Sequence, residues 1–236
     1  MDFLIDVVAW FNDRANWRGE TGLANLTFEH LWICALALAL AMAVALPLGL
    51  VLGHLGRGGV VAINVSNVGR ALPSFAVLVL ALQLSSIGTT PALVALVALA
   101  IPPMVTNGYV GVREVDDEMK EAARGMGMTG RQLFFGVELP VAVPLVMAGV
   151  RTAAVQVVGT ATLAALVGYG GLGALVVLGL RTGDNVEVFA GALAVAVLAL
   201  LTELGLGRLQ RTLTPGPLRR GRGAIEEIEM VGPRPL

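Results

Sequence analysis

The chain has 236 residues, of which 56% are hydrophobic and 14% charged, and its formal net charge is −1. Soluble domains usually contain ~45–50% apolar and ~25% charged residues, so this composition excludes an ordinary soluble protein. The near-zero net charge gives no global field favouring nucleic acid. The apolar runs are long enough for helices that cross a bilayer, and they lack the alternation of a membrane β-barrel. The sequence therefore predicts an all-α, polytopic membrane helix bundle.

Residues 1–25 are predicted to form an extracytoplasmic segment with a short helix on the membrane surface. The segment has no basic n-region, which argues against a signal peptide. Trp10 and Trp17 are typical of a membrane interface. The apolar side chains of the helix share one face, which comprises Phe3, Leu4, Val7, Val8 and Phe11.

The transmembrane domain is predicted to cover residues 26–207, and its first span to run from about Leu31 to Leu52. Thr27 is the expected N-cap of this helix. Gly49 and Gly53 form a small-xxx-small pair that lets a neighbouring helix approach closely. We interpret that pair as packing.

The second predicted span, residues 60–84, has a polar first half and an apolar second half that is too short to cross alone. Pro73 is expected to kink it. Asp184 and Glu187 fit the reciprocal capping pattern at the start of the last span. The other spans are predicted at about 91–112, 139–166 and 186–204.

Basic residues predict the orientation of the chain. With residues 113–138 and the C-terminus inside, most of the 16 Lys and Arg residues face the cytoplasm. The chain must then cross an even number of times after residue 138, so the apolar segment 168–182 is expected to be a dip or short outer helix. This gives five spans, an outside N-terminus and a flexible basic cytoplasmic tail at 208–236. Six spans is the alternative.

A charged block, DDEMKEAARGMGMTGRQLFFGVELP, separates two long apolar tracts. Gly125 and Gly127 are expected to end a first helix, because glycine takes the left-handed turn that helix ends use. Thr129 with Gln132 fits a capping box that begins a second helix, and Pro140 suits the first turn of the next span. The apolar positions of the block are Val115, Met119, Ala122 and Met126, followed by Phe134, Phe135 and Val137.

The region 113–138, hereafter the coupling segment, is much longer than the ~2–8 residues that usually join bundle helices. An ordinary connecting loop is the alternative interpretation. A helix–turn–helix that exposes Met and Phe among mixed charges is instead suited to docking in a partner's groove.

The coupling segment resembles the EAA signature of ABC importer permeases, which reads EAA, three residues, Gly, nine residues, Ile, any residue, Leu-Pro. Every spacing fits, and the one departure is Val137 in place of Ile. The resemblance implies cytoplasmic coupling helices that insert into a cleft on an ATPase subunit. The residues to which it assigns this role are Glu121, Ala122, Ala123, Gly127, Thr129, Phe134, Leu139 and Pro140.

Longer stretches look like osmoprotectant permeases, which serve glycine betaine, choline, carnitine and proline betaine. These stretches are FEHLWI, NVGRALPSFAVL, MAGVRTAAVQVVGTATLAALVGYGGLG and the basic tail. The resemblance implies two ATPase subunits, a second identical or paralogous permease subunit and the translocation of such a solute. A permease for another small solute, such as an amino acid, is the alternative.

Recognition of the solute is expected to belong to a separate extracytoplasmic binding protein. Quaternary ammonium sites usually rely on aromatic cages, but the tryptophans all lie at or before Trp32, and Tyr109 and Tyr169 are the tyrosines. The stretch after Leu204 is too short for a fused binding domain.

The sequence predicts no enzymatic site, cofactor or metal in this chain. Lys120, the lone lysine, does not follow a glycine as a phosphate loop requires, so ATP and Mg²⁺ are expected on the partner ATPase. GYGGLG follows a membrane helix rather than a strand, which argues against a dinucleotide site. His30, His54 and Cys34 form neither a metal cluster nor a catalytic triad. An ion-coupled carrier is disfavoured because no acid lies well inside a predicted span.

The fourth span is the predicted translocation path. Thr152, Gln156 and Thr160 share one helical face with Gly159, and hydrogen bonding between helices is an equally open alternative. Arg151 lies within the span, where a charge costs at least ~2.5 kcal/mol. Because no acid in the neighbouring spans is an obvious partner, Arg151 is expected to face a cavity or a subunit interface.

Overall fold

The computed structural model describes residues 2–71, 73–85 and 87–214. In this part of the chain the regular elements are all helical, as predicted. The α-helices are α1 (Asp2–Asn12), α2 (Leu23–Leu55), α3 (Gly59–Ala71), α4 (Ser74–Gln83), α5 (Thr89–Arg113), α6 (Asp117–Gly125), α7 (Gly130–Leu133), α8 (Leu139–Thr160), α9 (Gly173–Thr182) and α10 (Asn185–Leu213). Short 3₁₀ helices cover Arg14–Trp17 and Ala161–Val167, and a π-helical turn covers Phe134–Glu138.

Four helical segments of the described chain are long and apolar enough to cross a membrane: Leu23–Leu55, Thr89–Arg113, Gly130–Val167 and Asn185–Leu213. The remaining predicted span, 60–84, is divided into α3 and α4 rather than merely kinked. Pro73 occupies the N-cap of α4 with φ −61°, and a proline has no N–H to continue the preceding helix. The predicted class, a polytopic helical membrane bundle, is confirmed.

Helix α5 is central, with α2 and α8 as its main neighbours. Small residues allow these helices to pack closely. A Cβ added at Gly49 would lie 2.6 Å from the Val105 carbonyl oxygen, and one at Gly53 would lie 2.8 Å from Val112 Cβ. The predicted packing role of this glycine pair is confirmed. The core between the helices is rich in alanine, including Ala37, Ala41, Ala45, Ala92, Ala95, Ala100 and Ala153.

The segment after α8 contains the short helix that the sequence predicts for 168–182. Gly183 ends α9 in a left-handed conformation (φ 76°), and Asp184 begins α10 by accepting hydrogen bonds from the N–H groups of Val186 and Glu187. The reciprocal bond of the predicted capping box does not form, because the Asp184 N–H donates to the Gly179 carbonyl.

Helix α1 packs on the bundle through α10. The Phe3 and Phe189 rings meet edge to face with centroids 5.5 Å apart, and Val7 is buried. Leu4 and Val8 stay exposed, so one part of the predicted apolar face contacts protein and another part is left open.

Two predicted helix boundaries are wrong. Helix α2 begins at Leu23 behind Gly22, and Thr27 is not its N-cap: its hydroxyl donates to the Leu23 carbonyl inside the first turn. Helix α10 continues past Arg208 to Leu213, because the Gln210 side chain anchors its end to α8. The rest of the predicted tail, 215–236, lies outside the described residues.

Candidate functional site

The coupling segment folds as two helices joined by a tight glycine turn. The Asp116 carboxylate caps α6 by accepting from the Glu118 N–H at 2.8 Å. Beyond the helix, Gly127 (φ 85°) donates to the Arg124 carbonyl and Met128 donates to the Ala123 carbonyl. These two bonds are the Schellman arrangement, which needs a left-handed residue and therefore favours glycine at position 127.

The second helix of the segment begins with the predicted capping box. The Thr129 hydroxyl accepts from the Gln132 N–H at 3.4 Å, and the Gln132 side chain accepts from the Thr129 N–H at 2.8 Å. Leu133 is buried, and α7 contacts α6 and the π-helical turn that follows it. Both local predictions, the glycine stop and the capping box, are confirmed.

Large apolar side chains of the coupling segment are exposed. Met126 is 74% exposed, Phe135 57% and Met119 46%. The Arg131 guanidinium lies 5.9 Å from the centroid of the Phe135 ring, so cationic and aromatic groups share the surface. Exposed Met and aromatic residues among charges provide an adaptable surface for a partner.

The EAA residues occupy both sides of α6. Glu121 and Ala122 are exposed, whereas Ala123 is buried. Phe134 turns inward and packs edge to face on His54, with ring centroids 5.2 Å apart. The arrangement separates one exposed face of the segment from one that contacts the bundle.

A π-helical turn connects the coupling segment to α8. The Leu139 N–H donates to the Phe134 carbonyl, five residues earlier. Pro140 has no N–H to offer to the Gly136 carbonyl, and its ring crowds that group, which explains the wider turn. Leu139 and Pro140 are both half-buried at the start of α8.

The predicted path residues lie on the open side of α8. Ala153, Ala154, Val157 and Val158 face the core of the bundle, while Thr152 is exposed and Gln156 and Thr160 are half-buried. Among the described residues, the side chains of Thr152, Gln156 and Thr160 form no hydrogen bond. Within the described part of this chain, these side chains therefore form no hydrogen bonds between helices.

Arg151 has partners that sequence reasoning missed. Its Nε lies 3.2 Å from Glu203 Oε1, and its Nη1 donates to Gln210 Oε1 at 3.0 Å. Gln210 in turn donates to the Pro144 carbonyl at 2.8 Å. The expectation that no acid pairs with Arg151 is wrong, because α10 packs along α8 and brings a residue near its own end opposite the arginine. The available signal was Glu203 itself, the one acid of the last span beyond its first turn.

A polar cluster lies near the start of α2. The Glu29 carboxylate accepts from the Gly171 N–H at 2.9 Å, and the Tyr169 hydroxyl donates to the Glu29 carbonyl at 2.9 Å. Burial, with the Glu29 carboxylate and Cys34 as further causes, raises the pKa of the Tyr169 phenol, so it remains a donor at neutral pH. His30 bonds to the Val158 carbonyl at 2.9 Å, close to where α8 gives way to the 3₁₀ helix. Two glycines of GYGGLG, Gly170 and Gly171, thus pack closely against Glu29 and His30 of α2.

No group of three His, Cys, Asp or Glu residues is arranged to hold a metal ion within residues 2–71, 73–85 and 87–214. The Lys120 side chain is buried, and its Nζ lies 3.2 Å from Oδ1 of the exposed Asp117 in the same helix. This ion pair supports α6.

The fold resembles that of a solved membrane transporter chain. A chain of the inward-facing MetNI methionine ABC transporter superimposes with a TM-score of 0.71 over 82% of this chain and 96% of that chain, at 24% identity. A second crystal form of the same transporter gives a TM-score of 0.69. The two chains therefore share a fold.

The family follows from the sequence comparison. The family model for the binding-protein-dependent transport system inner membrane component matches residues 45–216, and the chain belongs to this family. The carnitine transport permease protein OpuCB of Listeria monocytogenes is 40% identical over 83% of this chain and 90% of its own. The choline transport system permease protein OpuBB of Bacillus subtilis is 38% identical over 82% and 89%. The osmoprotectant import permease protein OsmW of Salmonella typhimurium is 34% identical over 91% and 100%.

Proposed function

We propose that this chain is the permease subunit of an ABC importer that carries a small osmoprotectant into the cytoplasm. The solutes are glycine betaine, choline, carnitine or proline betaine. The observation that carries the proposal is the exposed coupling segment, which retains the EAA spacing in a chain similar to choline, carnitine and osmoprotectant permeases.

Energy comes from two ATPase subunits, which bind ATP and Mg²⁺ and contact the coupling segment. Met119, Met126 and Phe135 supply the apolar contact, and the exposed Glu121 lies beside it. Gly127 and Thr129 set the angle between α6 and α7. The coupling segment is joined to the bundle by Phe134, Leu139 and Pro140. Closure of the ATPase dimer then moves the inner ends of the membrane helices.

The solute crosses between two permease subunits, identical or paralogous, along the open face of α8. Thr152, Gln156 and Thr160 present hydroxyl and amide groups without partners in the described chain. Such groups are suited to replace the water around a small polar solute. Arg151, 35% exposed at the side chain and paired with Glu203, lies at the edge of this face.

High-affinity capture of the solute belongs to a separate extracytoplasmic binding protein.

The coupling segment and the C-terminus face the cytoplasm, and α1 and α9 lie on the outer side of the membrane.

Transport in proteoliposomes tests the proposal. The chain is reconstituted with its ATPase subunits and binding protein, and uptake of labelled glycine betaine, choline, carnitine and proline betaine is measured. We expect uptake that needs ATP and binding protein. Uptake driven by a sodium or proton gradient without ATP would contradict it. Uptake of an amino acid alone would retain the ABC mechanism and replace the solute.

A further inference from the structure

A short polar contact between His54 and the buried Glu138 joins the coupling segment to the end of α2. His54 Nδ1 lies 2.5 Å from Glu138 Oε2, although the two residues are 84 positions apart. Glu138 is 3% exposed, and its partner lies in the last turn of α2. Because a buried carboxylate needs a partner, His54 determines where Glu138 and the turn around it can lie.

A further contact holds His54 against the segment. The Phe134 ring packs on the imidazole edge to face, with ring centroids 5.2 Å apart. The histidine is therefore contacted from both ends of the π-helical turn, by Phe134 and by Glu138. Met126 and Phe135 of the same segment remain exposed for a partner.

The backbone route from the coupling segment into α8 is interrupted. Glu138 lies in the π-helical turn, and Pro140 removes a backbone hydrogen bond directly after it. Turns of this kind inside helices occur frequently at functional sites. A movement of the segment thus meets an irregular hydrogen-bond ladder before α8, whereas the His54–Glu138 contact attaches it directly to α2.

Helix α2 is well placed to pass a movement on. Gly49 and Gly53 bring its backbone into close contact with α5, and Glu29 near its other end bonds to Gly171. A displacement of His54 would therefore be transmitted to α5, the central helix, and to the opposite end of the bundle. Contiguous packed elements of this kind carry coupling between distant sites.

We infer that His54 and Glu138 are positioning residues that transmit the movement of the coupling segment to α2. The inference rests on the proposed docking of that segment on an ATPase. Neither residue touches nucleotide or solute. Breaking the pair lowers the amount of solute imported per ATP hydrolysed, without abolishing hydrolysis.

The test measures uptake and ATP hydrolysis together in proteoliposomes that contain the complete complex. Replacing both partners, as in His54→Leu/Glu138→Leu, is often neutral for stability, whereas Glu138→Leu removes only the carboxylate at nearly unchanged volume. We expect the ratio of solute to ATP to fall at least about fivefold, the lower end of typical coupling between sites. Glu138→Gln keeps an acceptor for the imidazole N–H, so it should import more solute per ATP than Glu138→Leu. The ratio for His54→Leu/Glu138→Leu should fall no further than the ratio for Glu138→Leu, because the pair acts as a unit.

Trp17→Phe is the control. It removes a hydrogen bond from the Trp17 ring to the Phe11 carbonyl, which lies outside the route from His54 to Gly171, and its ratio stays at the wild-type value. A wild-type ratio in Glu138→Leu, or multiplied losses in the double variant, would overturn the inference. Absence of ATP-driven uptake in the wild type would instead refute the proposed function, so the two failures are distinguishable.

Discussion

At the scale of single residues, Arg151 shows how a charge is accommodated in an apolar span. Its guanidinium is held by Glu203 and Gln210, and Gln210 also accounts for the length of α10. The pair is partly open, with side-chain exposures of 35% and 44%. One ion pair therefore ties α8 to α10 while leaving the arginine at the edge of the proposed path.

Breaking this pair should destabilise the chain. Glu203→Gln leaves the Arg151 charge without its counter-charge, and a pair this exposed contributes about 1 kcal/mol because solvent screens it. At ~2–4 °C per kcal/mol for a chain of this size, we expect the thermal unfolding midpoint in detergent to fall by roughly 2–4 °C.

The exchange Arg151→Glu/Glu203→Arg tests the same pair, and it should recover part of that loss because the opposite charges face each other again. Arg208→Gln, an exposed position on the same helix, serves as the control and should leave the midpoint unchanged. If Glu203→Gln unfolds at the wild-type temperature, the pair does not stabilise the bundle.

At the scale of elements, the coupling segment depends on local sequence signals that agree with one another. The Asp116 cap, the Gly127 turn and the Thr129–Gln132 box each satisfy backbone groups at a helix end. Each signal acts within a few residues, which is why the sequence predicts α6 and α7 without knowledge of the fold.

A side chain at Gly127 should destabilise the turn between α6 and α7. A Cβ there meets open space, but the residue has φ 85°, a conformation that costs an L residue roughly 1–2 kcal/mol. We therefore expect Gly127→Ala to lower the unfolding midpoint of the purified chain.

Gly125→Ala is the matched control for this substitution. Its Cβ also meets open space, and the residue is helical without a positive φ. The control should leave the midpoint unchanged or raise it slightly, because alanine favours helix. Equal losses at both positions would show that space, and not backbone conformation, is the constraint.

At the scale of the whole molecule, the proposed mechanism requires the coupling segment to face the cytoplasm. The chain has a single native cysteine, Cys34, which is buried in α2, so Cys34→Ala provides a background for labelling. Met126 in the coupling segment and Asn185 at the start of α10 are both exposed.

Labelling with a membrane-impermeant maleimide tests this orientation. In the Cys34→Ala background, Asn185→Cys should react in intact cells, and Met126→Cys should react only in inverted vesicles. Reaction of Met126→Cys from outside would reverse the orientation and remove the proposed ATPase contact.

The sequence by itself determined the class of fold, the helix–turn–helix of the coupling segment and the close glycine packing of α2. Apolar run length, end-capping residues and glycine spacing act locally or along one helix, so their effects can be read without coordinates. The division of the second predicted span into two helices was only partly predictable. Pro73 predicts an interruption, but not whether the chain forms one kinked helix or two separate helices.

Tertiary structure alone decided which residues meet across the bundle. Glu203 reaches Arg151, and Glu138 reaches His54, only because helices far apart in sequence pack side by side. No local pattern encodes such pairs, since each depends on how the helices align and rotate against each other. The exposed side of α8 likewise became visible only once α2, α5 and α10 had covered the rest of that helix.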